Sequence, residues 1–186
     1  MAKSIDRIYW DACAWIALIQ REKILVNGQL EDREVLCRLV LAQGERGKIE
    51  LVTSFLSYAE VCKHPNAKTA GEDKIAAYFE HDYILPMPVD RSIGEQARKL
   101  LMSGLPALYP ADAIHIASAI TANVREMHTF DKDLLKLSEK VNCQDGRPLK
   151  IIKPNVPMPP APLLEEEKSD KSEEARAKAK VHRQSP

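Results

Sequence analysis

The sequence predicts an α/β domain with a mostly parallel, helix-covered sheet, on two observations. Short segments rich in β-branched and aromatic residues alternate with longer segments of helical periodicity, and strands joined through helices pair in parallel. Two of the short segments, residues 5–10 (IDRIYW) and 125–130 (REMHTF), run straight into an acid, Asp11 and Asp131. In open α/β sheets that carboxyl edge is where ligands bind.

Taken in order, residues 5–10 form the first strand and ACAWIALIQ the first helix, with Asp11 placed to cap it. Residues 21–30, with Asn27 and Gly28, read as a polar connection. Residues 31–43 read as an amphipathic helix with Val35, Leu36, Leu39 and Val40 on its apolar face, ended by Gly44 and Gly47. Residues 49–53 (IELVT) are the second strand. Thr53 or Ser54 can cap the next helix, residues 54–64, which stops before Pro65. Glu60 lies inside that helix among Leu56, Ala59 and Val61; its plainest role is an exposed rim acid paired with His64.

A loop is expected over 64–71 and a helix over 72–81, with Ile75, Ala76 and Phe79 inward. Residues 84–89 (ILPMPV) carry two prolines, so that strand belongs at an edge or is short. Asp90 or Ser92 caps a helix over 93–102, and a loop leads to the most apolar helix, residues 109–122 (YPADAIHIASAITA). Pro110 suits its first turn. Asp112 sits in that turn, above an otherwise apolar surface. A carboxylate there is costly unless it caps the helix, pairs with a cation or binds a metal. The strand at 125–130 follows, then a short helix over 134–138 opened by Asp131, Lys132 and Asp133, and a last strand over 149–152.

After residue 152 the composition changes. KPNVPMPPAPLL is proline-rich, and the charged stretch after it lacks the apolar residues of a core. The division expected is therefore a domain over 1–152 and a disordered tail over 153–186. Across the 186 residues, 27 Lys and Arg balance 27 Asp and Glu, so no basic field announces a passive nucleic-acid binder. The four cysteines, Cys13, Cys37, Cys62 and Cys143, show no CxxC spacing and read as reduced thiols rather than a zinc site. No apolar run is long enough for a membrane span and no signal peptide is evident, so a cytoplasmic protein is expected. Nucleotide-binding loops of the GxxxxGK[ST] or GxGxxG kind are absent.

Strand carboxyl ends and following helix starts share one edge of a parallel sheet, so Asp11, Asp112 and Asp131 can converge there. Glu60 joins them if its helix leans over that edge. Four carboxylates about 5 Å apart repel by roughly 3 kcal/mol per pair, or roughly 20 kcal/mol in all, at an effective dielectric near 20. Such a cluster must bind protons or divalent cations. Oxygen-only ligation selects Mg²⁺ or Mn²⁺ over zinc, and one or two such ions can activate a water and clamp a phosphodiester.

The segments IYWDACAWIALI around Asp11, TSFLSYAEV around Glu60, LYPADAIHIASAI around Asp112 and HTFDKDL around Asp131 resemble, in order and spacing, the four acidic motifs of the PIN domains. The resemblance covers residues 5–152. It implies a three-layer α/β/α fold and a Mg²⁺- or Mn²⁺-dependent ribonuclease that hydrolyses RNA phosphodiesters, with Asp11, Glu60, Asp112 and Asp131 as catalytic metal ligands. Many small members are VapC-type toxins paired with an antitoxin, and members often dimerise; the helix over 31–43 is the candidate dimer surface. Many members carry Thr or Ser just after the first acid, where this chain has Ala12 and Cys13. That departure keeps open a catalytically weak RNA-binding or regulatory module. Thr129 retains a hydroxyl in the fourth motif, Asp133 is a helix N-terminal acid or an alternate ligand, and His115 reads as a packed or supporting residue rather than a general base.

Overall fold

A computed structural model describes residues 5–62 and 74–156. Its elements are β1 (Asp6–Trp10), α1 (Ala12–Ile19), β2 (Lys23–Val26), β3 (Gln29–Asp32), α2 (Arg33–Glu45), β4 (Ile49–Ser54) and α3 (Phe55–Val61). Then come α4 (Lys74–Phe79), β5 (Ile84–Met87), α5 (Arg91–Met102), α6 (Pro110–Thr121), β6 (Glu126–His128), α7 (Lys132–Leu135) and β7 (Lys150–Ile152). The loop expected over 64–71 and the tail beyond residue 156 lie outside the described residues.

The main sheet has the order β5-β4-β1-β6-β7, and every pairing in it is parallel. The α/β architecture expected from the sequence is therefore the one observed. β5, with Pro86, is at the edge, where a missing N–H costs no ladder bond. β1 is the middle strand and is buried on both faces. Ile8 and Trp10 point into a core shared with α1, α2 and α4, while Tyr9 points into a second core built with α6, β6 and β7. α5 packs on α6 through Ile93, Ala97, Ala113 and Ala117.

Buried polar bonds lock β1, β4 and α1 together. Trp15 Nε1 donates to Thr53 Oγ1 at 3.0 Å, and the Thr53 hydroxyl donates to the Trp10 carbonyl at 2.9 Å. Each of these groups would be costly to bury alone.

Four local expectations are corrected. Residues 21–30 are not a mere connection: β2 and β3 form an antiparallel hairpin. Asn27 and Gly28 have φ of 51° and 79°, the paired left-handed conformation of a two-residue hairpin turn, which Asn-Gly adopts readily. Helix α2 begins two residues later than expected, capped by Asp32, and buries Cys37, Val40, Leu41 and Gly44. Val35 and Leu39, expected inward, are about half exposed at 48% and 50%. Gly44 lies within α2 rather than ending it, because a Cβ there would run into the Tyr83 ring. Among the described residues no helix is long and apolar enough to cross a membrane.

Candidate functional site

The chain leaves β1 for β4 on one side and later reaches β6 on the other, so β1 is the strand where the sheet's order reverses. A crevice opens at the carboxyl end of such a strand. Asp11 occupies that position. It caps α1, its Oδ1 accepting the Ala14 N–H at 3.1 Å, and it is 2% exposed. Burial raises its carboxyl from 3.8 to about 6; His115 and hydrogen bonds from Thr129 and Ala14 oppose the rise, while Asp131 adds to it.

The other acids arrive from three further elements. Asp131 follows β6 and caps α7, its Oδ1 accepting the N–H groups of Asp133 at 2.6 Å and Leu134 at 3.2 Å. Its own N–H donates to Thr129 Oγ1 at 2.9 Å, and Thr129 also helps to hold the Asp11 carboxyl down against the rise that burial causes. Asp112, in the first turn of α6, takes the Tyr109 N–H on Oδ2 at 3.4 Å. Burial raises its carboxyl, and Asp131 and Glu60 push it the same way. Glu60, on α3, meets His115 Nε2 through Oε2 at 2.9 Å. The rim pairing expected with His64 lies outside the described residues.

Asp11, Glu60 and Asp112 line one small pocket of about 170 Å³ with Ala12, Cys13, Ile16 and His115. No Lys or Arg is among these lining residues. Asp131 opens instead onto an adjoining cleft of about 450 Å³, together with Glu22, Arg33, Phe130, Lys132 and Asp133. Cys13 and Ile16 line both spaces. The Cys13 thiol is pushed up by burial and then by Asp11, Asp131, Asp112 and Glu60, which places it within the field of all four acids. Asp133 is turned to Lys136, its Oδ1 accepting from Nζ at 2.7 Å, as suits an acid near a helix N-terminus.

Among the described residues, no three His, Cys, Asp or Glu side chains stand close enough together to hold one ion. Each of the four carboxylates has an oxygen on an anchor of its own. As a donor set, carboxylates suit a hard divalent cation, and in two of them, buried Asp11 and half-buried Asp112, the carboxyl is held above its ordinary value, which a bound cation would relieve without added protons. Sequence reasoning singled out the four acids, His115 and Thr129 but took Tyr9 only as a strand residue. Strand alternation was the signal for it: Tyr9 points opposite to Ile8 and Trp10, toward α6, where its hydroxyl meets His115 Nδ1 at 2.8 Å.

Residues 8–140 match the family profile of the PIN domain. No curated protein matches the sequence. Among solved structures, the VapC20 toxin of Mycobacterium tuberculosis, which cleaves the sarcin-ricin loop, superposes with a TM-score of 0.50 at 21% identity, covering 68% of this chain and 91% of that one. A toxin-antitoxin complex from Klebsiella pneumoniae superposes with a TM-score of 0.50 at 18% identity, covering 68% of this chain and 89% of that one. At these identities the likenesses carry the fold.

Proposed function

The chain belongs to the PIN-domain family, and from that premise we propose that it is a Mg²⁺- or Mn²⁺-dependent endoribonuclease hydrolysing RNA phosphodiester bonds, the toxin of a toxin-antitoxin pair. The observation that carries this reading is the pocket at the end of β1, which Asp11, Glu60 and Asp112 line together, with no Lys or Arg among the described lining residues. Asp131 adds its charge from the adjoining cleft, held by Thr129.

In this reading Asp11, Glu60, Asp112 and Asp131 hold the divalent ion. Bound there, the ion would supply Lewis acidity toward water and the phosphate, and local positive charge for an anionic substrate. The chain's own contribution is placement. Asp11 and Asp131 are fixed by the helices they cap, Asp112 by the Tyr109 N–H, and the Asp131 backbone by Thr129. The neutral overall charge accords with this, since attraction for RNA then comes from the ion rather than from a basic surface.

RNA is the substrate that follows, and an antitoxin protein and a second copy of the chain are the protein partners. On the hairpin and α2, the apolar side chains of Leu25, Leu30, Val35 and Leu39 are exposed and available for such a contact. A second reading, a catalytically weak RNA-binding or regulatory module, rests on Ala12 and Cys13 standing where a supporting hydroxyl is common in the family. Thr129, whose hydroxyl accepts the Asp131 N–H, keeps a hydroxyl in the fourth motif and weighs against it. Incubation of purified protein with RNA decides between them. The nuclease reading expects cleavage that chelation abolishes and Mn²⁺ restores; absence of cleavage together with retained RNA binding favours the second.

A further inference from the structure

The anchors of the four acids differ in kind. Asp11, Asp112 and Asp131 are short side chains held by backbone N–H groups within three residues of themselves. Glu60 has one more rotatable bond and is reached from a different element, by His115 on α6. The carboxylate oxygen only accepts, so Nε2 carries the hydrogen of that 2.9 Å bond. The other ring nitrogen meets the Tyr9 hydroxyl at 2.8 Å, and Tyr9 is fully buried in β1. The ring itself is 2% exposed and also lines the acid pocket. Tyr9, His115 and Glu60 thus form one line of hydrogen bonds from the middle strand, through the apolar helix, to the acid on α3.

We propose that His115 is a positioning residue for Glu60: held by Tyr9, it fixes how the Glu60 carboxylate is presented to the pocket and thereby sets divalent-ion affinity. The inference rests on the reading of Glu60 as a metal ligand. Its physical basis is rotamer entropy and orientation. A glutamate loses side-chain freedom when it ligates an ion, and an anchor that removes part of that freedom beforehand lowers the cost of binding. Carboxylates that ligate metals are themselves commonly hydrogen-bonded in this way. Both ring nitrogens are occupied, so the ring cannot flip without losing two buried bonds.

Calorimetric titration of Mn²⁺ into the full chain tests it. His115→Leu is expected to weaken binding by about 10- to 100-fold, the usual cost of removing a partner behind a metal ligand. His115→Gln, whose amide can still donate toward Glu60, recovers most of the affinity at equal folded fraction. In a Glu60→Ala background, His115→Leu adds no further loss, because no acceptor is left for the ring to hold. Wild-type affinity in a folded His115→Leu variant, or an undiminished loss in the Glu60→Ala background, would overturn the proposal. In the unmutated chain, saturating Mg²⁺ should shift the His115 Nε2 resonance, and an unmoved resonance contradicts it. The two layers separate cleanly: wild-type binding by Glu60→Gln removes the ligand assignment, whereas weakened binding there with normal binding in His115→Leu removes only the positioning role.

Discussion

The two ends of the central sheet carry acids in opposite circumstances. At the amino edge, each of four acids is matched to a guanidinium. Arg7 meets Glu50 at 2.8 Å, Arg125 meets Asp6 and Glu126 at 2.9 Å each, and Arg147 meets Asp145 at 2.7 Å. Burial pushes the Glu126 carboxyl up, yet His128 and Arg125 together bring it below its ordinary value. At the carboxyl edge, Asp11 is lifted to about 6 by burial, and Asp112 is raised by burial and by its acidic neighbours. The same residue types thus serve as ion pairs at one end and, at the other, line a pocket to which the described residues bring no Lys or Arg. Composition counts them alike. What separates them is whether the fold supplies a cation or leaves one to be bound.

The contrast is broken most severely by neutralising one pocket acid. Asp112→Asn should lower RNA cleavage by more than about 100-fold, beyond the cost of an outer partner, while circular dichroism reports an intact fold. Cleavage at the wild-type rate would remove Asp112 from the site. Next in size is the response to the ion. Mn²⁺ at 100 times its dissociation constant should stabilise the protein by about 2.7 kcal/mol, a rise of several degrees in melting temperature that Asp112→Asn loses.

The third prediction concerns the metal-free protein. Because the folded protein holds the Asp11 proton more tightly than the unfolded chain does, this group favours the folded state at low pH. That contribution is lost as pH rises from near 3.8, its ordinary value, through about 6. Asp11→Asn, which keeps a side-chain oxygen for the cap, should therefore be more stable than the parent at pH 7 by about 1–3 kcal/mol. The two should converge at pH 4, as read by denaturant titration at both values. A variant less stable than the parent at neutral pH would mean that the cap outweighs the buried charge. The smallest effect belongs to the other edge. Arg7→Ala breaks an exposed pair and should cost less than about 1 kcal/mol, with cleavage unchanged.

Much of this was legible in the sequence, for identifiable reasons. Alternation of strand and helix period set the parallel sheet, and the prolines of the ILPMPV segment placed its strand at an edge. Strands ending in Asp11 and Asp131 located the crevice because strand direction fixes which edge they share. The hairpin was hidden because Lys23–Val26 is a four-residue strand with partial burial, so its hydrophobic pattern is weak; the Asn-Gly pair was the signal that outranked it. The inward face of α2 was read half rightly: Val40 is buried and Leu36 packs on the core, but Val35 and Leu39 are apolar yet exposed while Cys37 and Leu41 are buried, a rotation of the stripe that periodicity alone could not tell. The Tyr9–His115–Glu60 line depends on side chains 106 and 55 residues apart and is set by tertiary packing, which no local pattern encodes.

The most direct test of the account is calorimetric titration of Mn²⁺ into the metal-free chain at pH 7, beside Asp112→Asn and Glu60→Gln under the same conditions. The account predicts saturable binding to the parent chain and sharply weakened binding to both variants. Absence of binding to the parent, or equal binding by all three proteins, would contradict it.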